Sequence, residues 1–480
     1  MEKHRIGRAR STEVRSVGVG DSARAHELAR EYGLPFLVEF LSDIWLRHSP
    51  ESEAEGRRYQ QEIVEHGELE VISPHSGMPA KSAVSFLILR SIFYRFPSQP
   101  EFYVASARTV LGNPLIALFA PREKLLLKWE FDDKPSVDKK HIVELKSILS
   151  RSSLRLTPSH RPVAVLIGHR NFAHHLWNEL PALERLLSTI PPESAPELLV
   201  RREPLGPLRA IYPELSQWKI TRPDWRVPPS INDDGRLFVR LGSYRMPLAV
   251  RMRIRRFAES VVTPSTRNLI SRLHQLAAPT FWISVRSQKP TMANQVDTLA
   301  RVSARLLREF ERCAILFDGF SPPDDWSQCD PDVREFYSTS AESSKREIDV
   351  IIETACAMAS VGSQQLLVNA GGLGILDSIA LAQTASCYLC HVGTVQHKIG
   401  WTTDKKGIIH AKRRRIVEQN KVWHHPDWLE NAVLPIPVAP TLVRDSPSGE
   451  NYAVLNPDKF AEFVARHFRS FVGIPTEDCR

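Results

Sequence analysis

The segment Pro162–Leu187, PVAVLIGHRNFAHHLWNELPALERLL, contains two hydrophobic patterns of different period. Its first six residues form a continuous apolar run, which predicts a short strand buried on both faces. Beyond Gly168–Asn171 the apolar residues recur at spacings of three and four, which predicts a helix over Phe172–Ser188 with one apolar face. A buried strand that leads directly into an amphipathic helix is typical of a parallel α/β domain.

Buried strands and amphipathic helices continue to alternate along the rest of the chain. The first series continues with a strand at Glu197–Val200 and a helix at Leu205–Leu215. A second series comprises strands at Thr280–Val285, Cys313–Phe317, Leu366–Val368 and Ser386–His391, with helices at Val296–Phe310, Ser344–Met358 and Ile375–Ala382. Two such series predict an α/β fold with two Rossmann-like, doubly wound domains that face one another across a cleft.

The domain limits follow from where these patterns start and stop in a chain of 480 residues. We predict a basic flexible tail at 1–28, an N-terminal α/β domain at 29–265, a C-terminal α/β domain at 275–435, and a Pro-rich connection with a terminal helix at 436–480. Within the first domain, residues 30–160 give only scattered helix and strand signals and remain unassigned. A chain of this length normally divides into two domains, which agrees with the two series.

The charge balance favours an anionic partner. Lys plus Arg number 63 and Asp plus Glu number 55, a net charge of +8. Much of this charge falls in two basic clusters, Arg251–Arg256 and Lys405–Arg415. Neither cluster carries the interleaved aromatic residues of a nucleic-acid binder, so a nucleic acid is disfavoured as a partner. The remaining interpretations are solvated faces, or peripheral contact with an anionic acceptor or membrane surface.

Cysteine usage and hydropathy predict a cytoplasmic protein, at the inner face of the membrane if the basic clusters bind lipid. Six cysteines are too few to cross-link 480 residues. No signal-type apolar segment is visible near the N-terminus, and no stretch predicts a membrane-spanning helix. Cys387–His391 matches the haem-attachment pattern C-x-x-C-H, but it lies in a strand-like run, which disfavours haem.

Polar residues of the Pro162–Leu187 segment form the first candidate site. Asn171, His174, His175, Asn178 and Glu179 are spaced three or four apart on the predicted helix and share a face near the carboxyl end of the preceding strand. A histidine with a carboxylate one turn later, as in His175 and Glu179, is suited to general-base chemistry on an alcohol. Alternatively, the imidazoles cap main-chain groups. The spacing is not that of a zinc motif, so no metal site is predicted.

A second candidate site follows strands of the C-terminal series. Arg286 and Lys289 come directly after a predicted strand, where an arginine fork and a lysine point charge suit a diphosphate. The segment His391–Lys398 follows another strand and is predicted to line the same cleft. Glycines before a predicted helix allow close approach of a phosphate to the main chain, or serve only in packing. These glycines and the acid that follows them are Gly371, Gly372, Gly374 and Asp377.

The segment Gly168–Leu187 resembles the motif H-x-N-F-x-H-W-x-x-E-x-L-P-R-L of glycosyltransferase family 61 and its bacterial relatives. The matching positions are His169, Asn171, Phe172, His174 or His175, Glu179, Leu180, Pro181 and Leu183. Arg286 with Asn294–Gln295 is similar to that family's R-x-x-x-R-x-x-x-N region. The resemblance covers roughly residues 160–400.

The resemblance implies a GT-B-like enzyme that transfers a sugar, with inversion, from a nucleotide-sugar donor to a hydroxyl of a glycan or lipid-linked acceptor. It implies no cofactor and no obligatory metal. His175, Glu179 and His174 are then the catalytic candidates, and Asn171 and His169 orient the acceptor or the base. The donor would contact Arg286, Lys289, the glycine loop and Asp377.

Two other functional classes remain open. The family's His-Gly-Ala element has no counterpart here, since Gly362–Gln365 and Asn369–Gly374 stand in that region. A non-catalytic scaffold that binds a polyanion or glycan is therefore one alternative. Another nucleotide-dependent α/β enzyme, which shares the cleft and the cations but transfers no sugar, is the second.

Overall fold

The computed structural model describes residues 14–19, 21–46, 59–106, 112–129, 137–151, 162–223, 236–288, 291–418 and 428–474. The chain forms two compact units. The N-terminal unit contains the chain up to His169 together with Trp177–Arg202 and Glu214–Tyr244. The C-terminal unit contains Arg170–Leu176, Glu203–Pro213 and the chain from Arg245 onward.

The segment left unassigned by the sequence folds into a mixed sheet with helices. Its elements are β1 (Arg15–Gly18), α1 (Ser22–Tyr32), α2 (Leu37–Leu46), α3 (Tyr59–His66), β2 (Leu69–Ile72), β3 (Pro79–Ser82), β4 (Val84–Ile88), β5 (Ser91–Phe96), β6 (Phe102–Ser106), β7 (Leu115–Ala120), β8 (Leu125–Lys128) and α4 (Lys139–Arg151). Six strands pair in the order β1-β8-β7-β6-β5-β4, and β2 pairs with β3 separately. All neighbours in the larger sheet are antiparallel except β1 and β8.

The predicted flexible tail at 1–28 is wrong for its described part. Strand β1 pairs with β8 through Arg15–Gly18, and α1 starts at Ser22 with Asp21 as its N-cap. The Asp21 side chain accepts a hydrogen bond from the Arg24 N–H at 2.8 Å. Three of the four β1 residues are exposed, so hydrogen bonds between main chains define this strand and no apolar period marks it in the sequence.

A parallel sheet follows the mixed sheet. Its strands and adjoining helices are β9 (Val163–Ile167), α5 (Phe172–His174), a π-helical turn (His175–Glu179), α6 (Leu180–Thr189), β10 (Glu197–Val200), α7 (Leu208–Ile211), β11 (Ile220–Thr221) and β12 (Leu237–Arg240). The strands pair in the order β11-β10-β9-β12, and every pair is parallel. Counted from β9 this order is 3-2-1-4, the start of a Rossmann-like sheet.

The C-terminal unit contains a complete Rossmann-like sheet. Its elements are α8 (Leu248–Val261), α9 (Pro264–Leu276), β13 (Thr280–Ser284), α10 (Gln295–Glu309), β14 (Cys313–Asp318), α11 (Pro331–Met358), β15 (Gln365–Asn369), α12 (Ile375–Ala382), β16 (Cys387–His391), α13 (Thr394–Gly400), β17 (Lys406–His410), α14 (Arg413–Glu418), β18 (Ile436–Pro437), β19 (Val443–Asp445), β20 (Tyr452–Val454) and α15 (Pro457–Phe471). Six parallel strands pair in the order β15-β14-β13-β16-β17-β18, which is 3-2-1-4-5-6 counted from β13. The predicted α/β class with two Rossmann-like sheets is confirmed.

Helix α8 belongs to the C-terminal unit, whereas the sequence prediction assigns it to the first domain. Its Arg251 side chain is buried and donates to the carbonyls of Trp401 at 2.9 Å, Thr403 at 3.0 Å and Glu430 at 2.8 Å. It also forms an ion pair with Asp404 at 2.5 Å. These bonds explain why the domain limit falls near residue 245, and they remove Arg251 from the surface basic cluster predicted at Arg251–Arg256.

None of the helices in the described part of the chain has both the length and the apolar character that a membrane span requires.

Strands β16 and β17 pack closely because of a glycine. Gly407 pairs with Tyr388 across the two strands, and both Tyr388 and the strand around it are fully buried. A Cβ atom at residue 407 would lie 2.2 Å from two atoms of the Tyr388 ring. Only glycine therefore fits opposite this aromatic ring without displacing it.

We predict that Gly407→Ala lowers the free energy of unfolding by about 1–3 kcal/mol, because the added methyl overpacks the sheet. The midpoint of urea unfolding measures this change. Gly18→Ala is the matched control, since a Cβ there meets no atom within 4 Å. Equal midpoints for the two variants would contradict the packing described here.

Candidate functional site

The helix that carries the histidines is interrupted by the π-helical turn at His175–Glu179. Pro181 is the second residue after this turn, and proline has no N–H with which to bond the Trp177 carbonyl as a regular α-helix requires. The π-helical turn is wider than an α-helical turn and accommodates the missing N–H of Pro181. Such turns change the direction of side chains and are frequent at functional sites.

Glu179 holds the loop that follows β9. Its buried carboxylate accepts hydrogen bonds through Oε2 from the main-chain N–H groups of Gly168 at 2.9 Å and His169 at 2.8 Å. Gly168 has a φ of +109°, and a Cβ there would lie 2.4 Å from the Arg202 nitrogen. Glu179 therefore fixes a loop that only glycine can form at the carboxyl end of the strand.

Arg240, at the end of the neighbouring strand β12, complements the charge of Glu179. Burial lowers the pKa of Arg240, and the carboxylate of Glu179 counteracts that effect. Nη2 of Arg240 also donates to the carbonyl of Arg90 at 2.9 Å. The carboxyl edge of the N-terminal parallel sheet thus carries two opposite charges that influence one another.

The other polar residues of this helix differ in exposure. His175 is fully buried, whereas His174 is partly exposed. Asn171 is the N-cap of α5, and its Oδ1 accepts a hydrogen bond from the Ala173 N–H at 2.9 Å. Asn178 is buried and accepts from Gly112 and Ser243 N–H groups at 2.8 and 3.1 Å. Of the two adjacent histidines, His174 is the one with access to solvent.

The predicted glycine loop packs against helix α11. A Cβ at Gly371 would lie 2.7 Å from the Ile348 side chain and 3.2 Å from Cα of Lys345. Gly372 has a φ of +77° and donates its N–H to the Phe320 carbonyl at 3.1 Å. Gly374 is the N-cap of α12 and has open space around it. The loop follows β15, which is separated from β13 by β14.

Asp377, predicted to lie near the donor, caps another helix. Its carboxylate accepts from the Thr263 N–H at 2.8 Å and from the Thr263 hydroxyl at 3.0 Å. Thr263 is the N-cap of α9, so this contact joins α12 to α9. The described contacts of Gly371, Gly372 and Asp377 are all structural, and none of them involves Arg286.

Arg286 lies at the switch point of the C-terminal sheet, beyond the end of β13 and beside β16. Its Nη1 lies 3.0 Å from Nδ1 of His391 and 3.3 Å from the Val392 carbonyl oxygen, and its Nε donates to the Gln288 carbonyl at 3.0 Å. Within the described residues, no carboxylate forms an ion pair with Arg286. Lys289, predicted as its companion, falls outside them. Burial and the charge of Arg415 lower the pKa of Arg286, and Tyr452 partly counteracts them.

Two histidines and a tyrosine lie beside this guanidinium. His391 ends β16, His410 ends β17, and all three side chains are buried. The Tyr452 hydroxyl is 2.5 Å from Nδ1 of His410, and the two imidazole rings are 5.7 Å apart. Burial is the main cause that lowers the pKa of His391, with Arg286 adding to it, and burial lowers the pKa of His410 to about 3. Both imidazoles are therefore neutral at pH 7. We call Arg286, His391, His410, Arg415 and Tyr452 the switch-point cluster.

Gln295 fixes the main chain of Arg286. Its Oε1 accepts from the Arg286 N–H at 3.1 Å, and its Nε2 donates to the Arg286 carbonyl at 3.2 Å. Nε2 also donates to Glu347 at 2.7 Å. The sequence indicates Gln295 only through the family resemblance, and it gives no sign of His410 or Tyr452, because neither carries a motif.

A buried ion pair lies under the loop after β14. Lys398 is 2.5 Å from the carboxylate of Asp318, and its ammonium also donates to the Gly319 carbonyl at 2.6 Å and the Ser321 hydroxyl at 3.1 Å. Ser378 donates to the other carboxylate oxygen at 2.9 Å. Burial raises the pKa of Asp318, and Lys398 limits that rise. Both charges are satisfied internally.

A scan of family models and a search of curated proteins give no match to this chain. Among solved structures, the chain is similar to a family 9 glycosyl transferase from Veillonella parvula DSM 2008, with 11% identity over 64% of this chain and 97% of that one, at a TM-score of 0.34. It is also similar to a glycosyltransferase from Rickettsia africae ESF-5, with 8% identity over 66% and 90% of the two chains, at 0.33. A third is described as trehalose-6-phosphate from E. coli bound with UDP-2-fluoro glucose, with 10% identity over 73% and 80%, at 0.29. Likeness at these scores assigns neither a fold nor an activity to this chain.

The buried imidazoles predict how stability depends on pH. Because the folded pKa values lie below the ordinary histidine value, the unfolded chain binds protons that the folded chain does not. The stability that these groups contribute is thus complete above about pH 6.5 and is lost as the pH falls below that value. Each group accounts for a loss of about 1.4 kcal/mol per pH unit.

We predict that His410→Gln makes this loss shallower by about 1.4 kcal/mol per pH unit between about pH 6 and pH 4, since glutamine keeps a partner for Tyr452 but does not titrate. Urea unfolding at a series of pH values measures the slope. His274→Gln, at an exposed position on α9, should leave the slope unchanged. Identical slopes in all three proteins would show that His410 is protonated in the folded state.

Proposed function

We propose that this protein is a glycosyltransferase that uses a nucleotide-sugar donor, with the donor diphosphate bound at Arg286. The observation that carries the proposal is the half-buried guanidinium at the switch point of a 3-2-1-4-5-6 sheet with no carboxylate beside it among the described residues. Ligands of open parallel sheets bind at the carboxyl ends of the strands at this point. An anionic ligand would supply the missing negative charge.

The charges around Arg286 favour an anion with more than one negative charge. The neighbouring Arg415 makes the site more positive, and the neutral imidazoles of His391 and His410 add no compensating negative charge. A planar guanidinium binds phosphate oxygens in a bidentate manner, which suits a diphosphate. The likeness of Gly168–Leu187 to family 61 glycosyltransferases supports sugar transfer over other reactions of such ligands.

In the proposed inverting reaction, the acceptor oxygen attacks the anomeric carbon on the face opposite the diphosphate. The bond from that carbon to the diphosphate oxygen breaks, and its electron pair leaves with the nucleoside diphosphate. Arg286 stabilises the charge that develops on the leaving group, which is an electrostatic role that requires no metal. A base takes the proton of the acceptor hydroxyl.

His174 is the base that the exposure of the side chains favours. It is partly exposed, whereas His175 is fully buried and Glu179 is engaged with the loop after β9. A neutral imidazole with access to solvent can accept a proton near neutral pH. We therefore propose Glu179, with His169 and Asn171, as residues that position this segment.

The proposal extends to the partners of the enzyme. The acceptor is a hydroxyl of a glycan or of a lipid-linked sugar, and the enzyme works in the cytoplasm, at the inner face of the membrane. The cluster residues that are exposed, and so available for that face, are Arg256, Lys406, Arg413 and Arg414. Neither a cofactor nor an obligatory metal takes part.

The ligand for this test is whichever of UDP and GDP binds the native protein more tightly. We predict that Arg286→Ala weakens its binding by about 10- to 100-fold. The reason is the loss of charge-assisted hydrogen bonds to the phosphates. The affinity of Arg286→Lys should lie between those of Arg286→Ala and the native protein, because lysine keeps the positive charge but lacks the bidentate guanidinium. Isothermal titration calorimetry measures the dissociation constants.

Arg272→Ala is the control for this experiment, since it removes an exposed arginine on the neighbouring helix α9. Equal affinity of Arg286→Ala and the native protein would rule out the diphosphate site. Binding and slow hydrolysis of UDP- or GDP-sugars, with no transfer to any glycan and no loss of rate in EDTA, would favour another nucleotide-dependent enzyme.

We predict that His174→Asn lowers kcat of sugar transfer by about 100-fold or more, because the acceptor proton loses its base. The affinity for the nucleoside diphosphate should not change. Glu179→Gln keeps one oxygen for the Gly168 and His169 N–H groups and should lower kcat much less. A large loss in Glu179→Gln with native rates in His174→Asn would instead make Glu179 the base.

A further inference from the structure

A cavity of about 630 Å³ adjoins Arg286 in the C-terminal unit. It lies between the chain that follows β13, at Ser287 and Gln288, and the first half of helix α11. Gln288 joins the two walls, since its side chain donates to the Ser340 hydroxyl at 3.0 Å. Its carbonyl oxygen accepts the hydrogen bond from Nε of Arg286. The volume is within the range of about 300–1,000 Å³ that is typical of small-molecule sites.

The lining of this cavity is suited to a neutral, hydroxyl-rich ligand. Asp332 and Glu335 stand one turn apart on α11, and neither forms an ion pair within the described residues. The aromatic ring of Phe336 is 52% exposed beside them. The hydroxyl of Ser287 is buried and has no hydrogen-bond partner in the described part of the chain. Among the described residues no lysine or arginine lines the cavity, which favours an uncharged group of the ligand there.

The acid that would bind a ribose in an ordinary Rossmann-like domain is not available here. That acid ends the second strand of the sheet, where it accepts hydrogen bonds from the ribose hydroxyls. The second strand is β14, and its last residue, Asp318, is fully buried and bound to Lys398 and Ser378. The cavity contains two other carboxylates, those of Asp332 and Glu335.

We infer that the cavity binds the ribonucleoside of the donor, an inference that rests on the diphosphate site proposed above. The vicinal hydroxyls of the ribose donate to the carboxylates of Asp332 and Glu335, and the base stacks on Phe336. The diphosphate then extends from the cavity to Arg286. This arrangement makes α11 the element that distinguishes a ribonucleotide from other diphosphates.

The test compares three ligands by isothermal titration calorimetry on the full chain. The ligands are inorganic pyrophosphate, the better of UDP and GDP, and the 2′-deoxy form of that nucleotide. The native protein should prefer the ribonucleotide over its 2′-deoxy form by about 10-fold, which corresponds to one hydrogen bond to a charged group. Glu335→Gln and Asp332→Asn should remove most of this preference, and Phe336→Ala should weaken both nucleotides, while pyrophosphate binds all proteins alike.

The three substituted residues are exposed on α11, and Glu353→Gln, farther along the same helix, is the control. An undiminished ribose preference in both carboxylate variants would overturn the inference and leave the diphosphate site in place. The inference would also be overturned if the variants bound a nucleotide-sugar more weakly than the native protein does but bound its nucleoside diphosphate equally well. The cavity would then hold the transferred sugar. Failure of pyrophosphate and both nucleotides to bind the native protein would overturn the diphosphate site together with the cavity assignment.

Discussion

The parallel hydrogen bonding of β13 to both β14 and β16 is the constraint on which the candidate site depends. It reverses the direction in which the sheet grows and leaves a gap between the connections that leave β13 and β16. Because parallel strands end at the same edge, Arg286, His391 and His410 meet there although they are far apart in sequence. Neither the arginine nor the histidines would form a site in a sheet of another order.

Among the described residues, the buried charges of Arg251, Lys398 and Arg240 each have an opposite charge nearby, and this sets Arg286 apart. Arg251 has three carbonyls and Asp404, Lys398 has Asp318, and Arg240 has Glu179 nearby. Burying a charge without a partner is costly, so a fold ordinarily supplies one. Arg286 has only neutral groups in hydrogen-bonding reach among the described residues, and a second guanidinium lies close by. This lack of an opposite charge among the described residues is the reason why we propose Arg286 as a ligand-binding residue.

The sequence predicts the parallel sheets well because strands buried on both faces are written as continuous apolar runs, as in Val163–Ile167 and Cys313–Asp318. It does not predict the mixed sheet, because antiparallel pairing between strands such as β4 and β5 defines that sheet. It does not predict β1 either, since that strand is mostly exposed. Of the candidate site, Arg286 and His391 are predictable because each directly follows or ends an apolar run. His410 and Tyr452 are not, since only the strand order brings them there. The glycine loop carries the signal of a phosphate site, but contact with α11 accounts for Gly371 and a positive φ accounts for Gly372.

The clamp of Gln295 on the main chain of Arg286 has a consequence for how the site is assembled. Gln295 is the first residue of α10, so its side-chain amide ties the main chain of Arg286 to the position of that helix. Helix α10 in turn packs against α15, and Arg301 pairs with Asp458 at 2.9 Å across the two helices. The orientation of the arginine therefore depends on a segment that the ribosome makes after all five residues of the switch-point cluster. A nascent chain that has reached Asn456 holds every residue of the switch-point cluster, yet it still lacks the helix that braces them.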